Sequence, residues 1–127
     1  NVLFNEDIVL KSDGSSVRTY TYIADAIAGM WRILLNGEEL AYNIGDENGK
    51  VSIRELAELL VKINPEKHLK LCFDIPKDAN TGCAPFTMGI LSSERLRELG
   101  WQPLNTIEEG FTRTLRYLEY EKANGRL

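Results

Sequence analysis

Apolar residues recur along the chain with two periods, and these divide it into helices and strands. Ile23, Ile27, Met30, Trp31 and Leu34 follow helical spacing, and Gly37 follows as a stop. The next helix opens at "VSIRELAELLVKI". There Ser52 and Glu55 have capping-box spacing, and Val51 with Leu56 can form the hydrophobic staple. Ile53, Leu56, Leu60 and Ile63 make its inward face. A short helix in "LSSERLRELG" turns Leu96 and Leu99 inward and stops at Gly100. A fourth starts near Thr106, with Glu109 at the capping-box position. It carries Ile107, Phe111, Leu115 and Leu118 and ends near Gly125. Between the helices, "IVLK" (Ile8 to Lys11) and "AYNIG" (Ala41 to Gly45) are short apolar runs bounded by turn residues. "LKLCFD" alternates Leu69, Leu71 and Phe73 with Lys70, Cys72 and Asp74, which predicts a strand with one buried face. The pattern predicts an α/β chain forming a single domain over residues 1–127, with a mixed small sheet and about four helices. The longest irregular stretch is Ile75 to Thr87, "IPKDANTGCAPFT", and loops of that length are often functional.

Composition narrows the function classes. With 127 residues, 43% hydrophobic and 27% charged, the chain has the make-up of a globular protein. A net charge of −4, with acids and bases interspersed, argues against a general nucleic-acid binder but leaves room for a local phosphate site. No apolar run is long enough to span a bilayer, so no membrane partner is expected. Cys72 and Cys83 form no CxxC pair, which points to a reduced, cytoplasmic setting. With one histidine, His68, they make no zinc site. "DENGK" from Asp46 begins like a calcium loop and fails as one. Lys50 stands at the fifth ligand position and Ala57 at that of the closing glutamate, so no metal is expected. The chain opens on "NVLFNEDIVL" without Met and reads as though cut from something longer or trimmed.

Three segments in register then carry a family resemblance: "DGSSVRTYTYIADAIAGM", "AYNIGDENGKVSIRELAELL" and "LSSERLRELGWQPLNTIEEGFTRTLRYL". Together they resemble the C-terminal part of an extended short-chain dehydrogenase/reductase. These are the NAD-dependent nucleotide-sugar epimerases, dehydratases and decarboxylases. The resemblance implies that the chain is the substrate-binding portion, with a nucleotide-diphosphate sugar as ligand. It also implies NAD as the cofactor of a longer parent, bound upstream, and a homo-oligomer. Arg18 matches the arginine of the "GxxxR" segment that reaches the diphosphate, chemistry suited to a planar guanidinium. Tyr20 matches an aromatic position near the substrate nucleotide. Met88 stands near a second diphosphate-gripping arginine of the family, and Ser92 replaces the usual Asp after Leu91. Lys77 could substitute as a point charge. Asp25 reads as favourable charge in a first helical turn, and Trp101 as packing behind a helix stop.

The chemical apparatus of the family is not written in this chain. No GxxGxxG or GxGxxG occurs, and no Tyr is followed four residues on by Lys: Tyr20, Tyr22, Tyr42, Tyr117 and Tyr120 are followed by Ala24, Ala26, Asp46, Glu121 and Asn124. The chain alone is therefore expected to catalyse no redox or epimerisation step and to hold no cofactor. The alternative reading is a non-catalytic binding or interaction module derived from the same family. Under the first reading, the helix from Ile23 and the "AYNIG" segment belong to a larger sheet and lack part of their cover.

Overall fold

The capping box written into Ser52 and Glu55 is formed in the computed structural model, which describes residues 1–75 and 88–127. Glu55 N donates to Ser52 Oγ at 3.1 Å, and Ser52 N donates to Glu55 Oε2 at 2.7 Å. The box starts a helix that runs through Lys62. In chain order the elements are β1 (Ile8–Leu10), β2 (Val17–Thr19), α1 (Ile23–Asn36), β3 (Lys50–Ser52), α2 (Ile53–Lys62), β4 (Leu71–Phe73), β5 (Met88–Gly89), α3 (Glu94–Glu98) and α4 (Ile107–Ala123). The described residues thus carry the expected α/β make-up, with four helices and small sheets. They gather into two units. The first takes residues 1–16, 108–127 and, among the described residues, 52–75; the second takes 17–51 and 88–107.

In the first unit β1 and β4 pair in parallel, Ile8 opposite Leu71 and Leu10 opposite Phe73. The ladder is closed at its ends by Ile8 N to Lys70 O (2.9 Å), Asp74 N to Leu10 O (2.9 Å) and Lys70 N to Asp7 Oδ1 (2.8 Å). The alternation in "LKLCFD" buries Leu69 but runs out at Phe73, which is exposed. Arg54 covers that ring, its guanidinium carbon 4.7 Å from the centroid. The same guanidinium donates from Nε and Nη2 to Asp13 O at 3.0 and 2.8 Å, while Arg54 N donates to Gly14 O at 3.0 Å. Asp13 in turn accepts from Ser15 N and Ser15 Oγ, so "DGSS" is an Asx turn held from α2. Among the described residues of this unit, Val2, Ala57 and Leu69 are the buried apolar ones.

In the second unit the strand order is β3–β2–β5, and β2 runs parallel to β5. Helix α3 packs on α1 and ends at Glu98, with Leu99 as its C-cap; Gly100 takes φ +82°, the left-handed stop its sequence predicts. The chain then turns Trp101 inward, where it is 2% exposed and donates Nε1–H to Asp25 O at 2.8 Å. Asp25 does more than favour a helix end. Its buried carboxylate accepts from Leu104 N (3.1 Å), Asn105 N (3.1 Å) and Asn105 Nδ2 (3.0 Å). The strand expected over Ala41–Gly45 is not formed. Ser93 Oγ takes both backbone groups of Gly45, accepting from its N–H and donating to its carbonyl at 2.7 Å each, so those groups are not free for a ladder. Strands β3 and β5 were not expected from the pattern.

Two outcomes follow from these anchors. Asp25→Ala should lower the unfolding free energy by about 3 kcal/mol in urea titrations, because it leaves two backbone amides and one side-chain amide without their buried acceptor. The Glu55 carboxyl is held below its ordinary 4.5 by hydrogen bonds from the Ser52 side chain and then the Ser52 amide. The folded state therefore binds this proton less readily than the unfolded chain. The contribution is complete above pH 4.5 and is lost as pH falls through the lowered folded value. In acid-unfolding curves the stability gap between the wild type and Glu55→Gln should be widest near neutrality and close below that pH.

Candidate functional site

Arg18 lies in the middle of β2, half-buried, and Tyr20 follows just beyond the strand end. The two-residue period of extended chain puts both on one face of this segment. Two contacts fix its course. Tyr20 N donates to Gly49 O at 3.0 Å, and Asp46 N donates to Thr21 Oγ1 at 2.9 Å. Gly49 is required there: a Cβ at this position would run into the carbonyl oxygen of Tyr20 and stand 3.0 Å from Asp46 Oδ2. The "DENGK" segment forms a turn that clamps the strand end bearing Tyr20. Gly49 N to Asp46 O (3.0 Å) and Asn48 N to Asp46 Oδ1 (2.9 Å) close the turn on itself.

The guanidinium of Arg18 donates from Nη1 to Val17 O at 2.7 Å. A phosphate oxygen is a stronger, charge-assisted acceptor than this neutral carbonyl, so the contact can be exchanged for a ligand. Strand β5 brings Met88 beside this segment. The register sets Val17 opposite Met88 and Arg18 opposite Gly89. Alternation across the ladder thus places Met88, 57% exposed, on the face opposite to Arg18. Lys77 and Cys83 lie outside the described residues. The family resemblance singled out Arg18, Tyr20 and Met88 but not Gly49 or Arg54. Their roles depend on partners 29 and 41 positions away along the chain, Tyr20 and Asp13.

Charge elsewhere in the second unit is unsuited to an anion. A cavity of about 650 Å³ is lined by Asn36, Glu38, Glu39, Tyr42, Glu94, Arg95, Glu98 and Leu99, four carboxylates against one guanidinium. Helix N-termini, the usual cradle for a pyrophosphate, carry acids in their first turns: Asp25 in α1, Glu55 in α2, Glu94 in α3, Glu108 and Glu109 in α4. The sequence has no glycine-rich dinucleotide loop to offset these acids. Among the described residues there is no cluster of metal-ligating side chains, and no helix is long and apolar enough to cross a membrane.

No protein-family model matches the chain. UDP-D-apiose/UDP-D-xylose synthase 2 of Arabidopsis thaliana is 27% identical over 128 residues, covering 92% of this chain and 33% of that protein. The crystal structure of the UDP-glucose 4-epimerase of Thermotoga maritima with UDP-glucose superposes with a TM-score of 0.77 at 25% identity, over 95% of this chain and 37% of that one. RMD from Pseudomonas aeruginosa complexed with NADPH gives a TM-score of 0.73 at 27% identity, over 92% of this chain and 37% of that one. The chain spans about a third of the length of the curated relatives it matches. Sequence and structure together show the resemblance to the C-terminal part of the extended short-chain dehydrogenase/reductases, the nucleotide-sugar epimerases, dehydratases and decarboxylases.

The clamp at Tyr20 has a direct test. Gly49→Ala should cost about 1–3 kcal/mol in chemical denaturation, because the added methyl must push the Tyr20 carbonyl or the Asp46 turn aside. It should also displace the Tyr20 and Arg18 amide resonances in an amide NMR spectrum.

Proposed function

We propose that this chain is the nucleotide-sugar-binding portion of an NAD(P)-dependent sugar-nucleotide-modifying enzyme. Arg18 takes the diphosphate and Tyr20 lies against the nucleotide. The observation that carries the reading is the clamp of Gly49 on the strand end that bears Arg18 and, two residues on, Tyr20. The names of the similar proteins support the ligand class: one makes UDP-sugars and another was crystallised with UDP-glucose. The NADPH bound to a third supports a nicotinamide cofactor for the longer protein. That cofactor would supply hydride transfer and would sit on residues outside this chain, because the sequence has no glycine-rich loop and each of the four described α-helices carries an acid in its first turn. What this chain supplies is orientation. A forked guanidinium makes paired bonds to phosphate oxygens and so holds the diphosphate in a fixed pose. The ring of Tyr20 offers an apolar face with a hydroxyl at its edge.

Calorimetric titration of the 127-residue chain with UDP and UDP-glucose tests this. Arg18→Ala should weaken binding by about 1.5–3 kcal/mol, the scale of a hydrogen bond to a charged group, with little change in melting temperature. Equal affinity in the variant, or a large loss of stability, would return Arg18 to a structural role.

A further inference from the structure

Glu47 belongs to the turn that clamps Tyr20, yet its carboxylate is engaged elsewhere. Its Oε1 accepts from Ser93 N and from Arg97 Nη1, each at 3.0 Å. Ser93 immediately precedes α3, and Arg97 lies on it. The Ser93 amide first, and the Arg97 guanidinium after it, hold the Glu47 carboxyl below its ordinary 4.5, so it is ionised at neutral pH. The same stretch has a second anchor on Ser93, the two 2.7 Å bonds between Ser93 Oγ and the backbone of Gly45. Ser93 is 1% exposed, whereas the side chains of Arg97 and Glu47 are 42% and 34% exposed. The turn is thus held by a sealed, neutral anchor at Gly45 and by an open, charged one at Glu47. On either side of Glu47 the turn grips the site strand. Asp46 N donates to Thr21 Oγ1 at 2.9 Å, and Gly49 O receives Tyr20 N at 3.0 Å. Gly49 lies so close to the Tyr20 carbonyl that the turn and the strand end cannot slide past one another. The other neighbour of this strand, β5, leads into Ser93 four residues on, so both flanks of β2 converge on the start of α3.

We propose that Glu47 is a positioning residue of the nucleotide site: by tying the turn to α3 it sets where the strand end bearing Tyr20 lies, and so how the Tyr20 ring meets the ligand. The proposal rests on the reading of Tyr20 as the nucleotide's neighbour. Glu47 acts through the backbone of Gly49 and Asp46 and touches no ligand. Asp46 and Asn48 do not share this role, because the Asp46 carboxylate closes the turn on itself by accepting from Asn48 N, and the Asn48 side chain is exposed. Without the Glu47 bridge the turn keeps its anchor at Gly45 and swings about it. A shift of a few tenths of an ångström at Gly49 O is enough to weaken its bond from Tyr20 N, since such bonds fade beyond about 3.2 Å.

Two readouts on the 127-residue chain test this and separate it from the reading it rests on. Without ligand, Glu47→Ala should displace the amide resonances of Tyr20, Thr21 and Gly49 while leaving helical circular dichroism unchanged. Glu47→Gln, which keeps an acceptor for Ser93 N, should displace them less. Arg97→Gln breaks the ion pair from α3 and should displace the same three resonances; should Glu47→Ala fail to fold, it carries both readouts. In calorimetric titration with UDP-glucose, Glu47→Ala should weaken binding about three- to tenfold, the scale of coupling through a packed network. Adding Arg97→Gln to Glu47→Ala should cost nothing further, because the pair is already gone. A merely structural role would lower the melting temperature and leave these amides and the affinity in place. Unmoved amides at Tyr20, Thr21 and Gly49 would overturn the proposal whatever the ligand does, and so would moved amides with undiminished affinity. A wild-type chain that binds no UDP-glucose would overturn the nucleotide-sugar reading instead, and displaced amides would then still uphold the hold of Glu47 on the strand end.

Discussion

The buried carboxylate of Asp25 sets the rotation of α1, and much of the second unit depends on that rotation. A carboxylate taken out of water must be given donors, and here they come from Leu104 N, Asn105 N and Asn105 Nδ2. The carbonyl of the same residue receives the indole N–H of Trp101. Position 25 must therefore face inward. Helical geometry then brings Gly29 to the same side and leaves Ile23, Ile27, Met30, Trp31 and Leu34 on the other. A single polar demand thus outranks the apolar burial of five side chains within this unit.

Helices were legible in the sequence because their determinants are local. Ser52 and Glu55 stand three residues apart and the box forms; Gly100 adopts the left-handed stop its position implies. Ile8–Leu10 and Leu71–Phe73 were readable as strands because each is a compact apolar run that finds its partner directly. The misses have a common cause in long-range partners. "AYNIG" has strand composition, yet Ser93 occupies the backbone groups of Gly45 from 48 positions away. The Lys50–Ser52 and Met88–Gly89 segments are too short for any period, and pairing alone makes them strands. Periodicity also marked the Ile23 stripe correctly as apolar, but period carries no sign for inward or outward. Asp25, the residue that decides the direction, looked like an ordinary first-turn acid.

The candidate site divides in the same way. Arg18 and Tyr20 stand two residues apart, so their common face was implicit in the sequence. What holds that face in place was not, because Gly49 acts by what it lacks, and a missing Cβ has no pattern. Met88 shows the limit of alignment by spacing. It reaches the strand next to Arg18, but the pleat turns it to the other side, and the residue opposite Arg18 is Gly89.

Electrostatics finally narrows how this chain can hold an anion at a net charge of −4. Backbone dipoles at helix N-termini are the cheapest source of positive potential in a small fold. In this chain that source is already spent, since first-turn acids stand at α1, α2, α3 and α4. Two of these acids, Asp25 and Glu55, are fixed by hydrogen bonds that the fold uses, so a ligand cannot displace them without unfolding something. Positive potential must therefore come from side chains. Arg54 spends two guanidinium N–H bonds on Asp13 O while covering Phe73, and Arg97 is paired with Glu47 at 3.0 Å. Arg18 instead meets a neutral backbone carbonyl with Nη1. Arg54 would have to release two bonds at once and its contact with Phe73, and Arg97 a carboxylate, before either could serve a diphosphate.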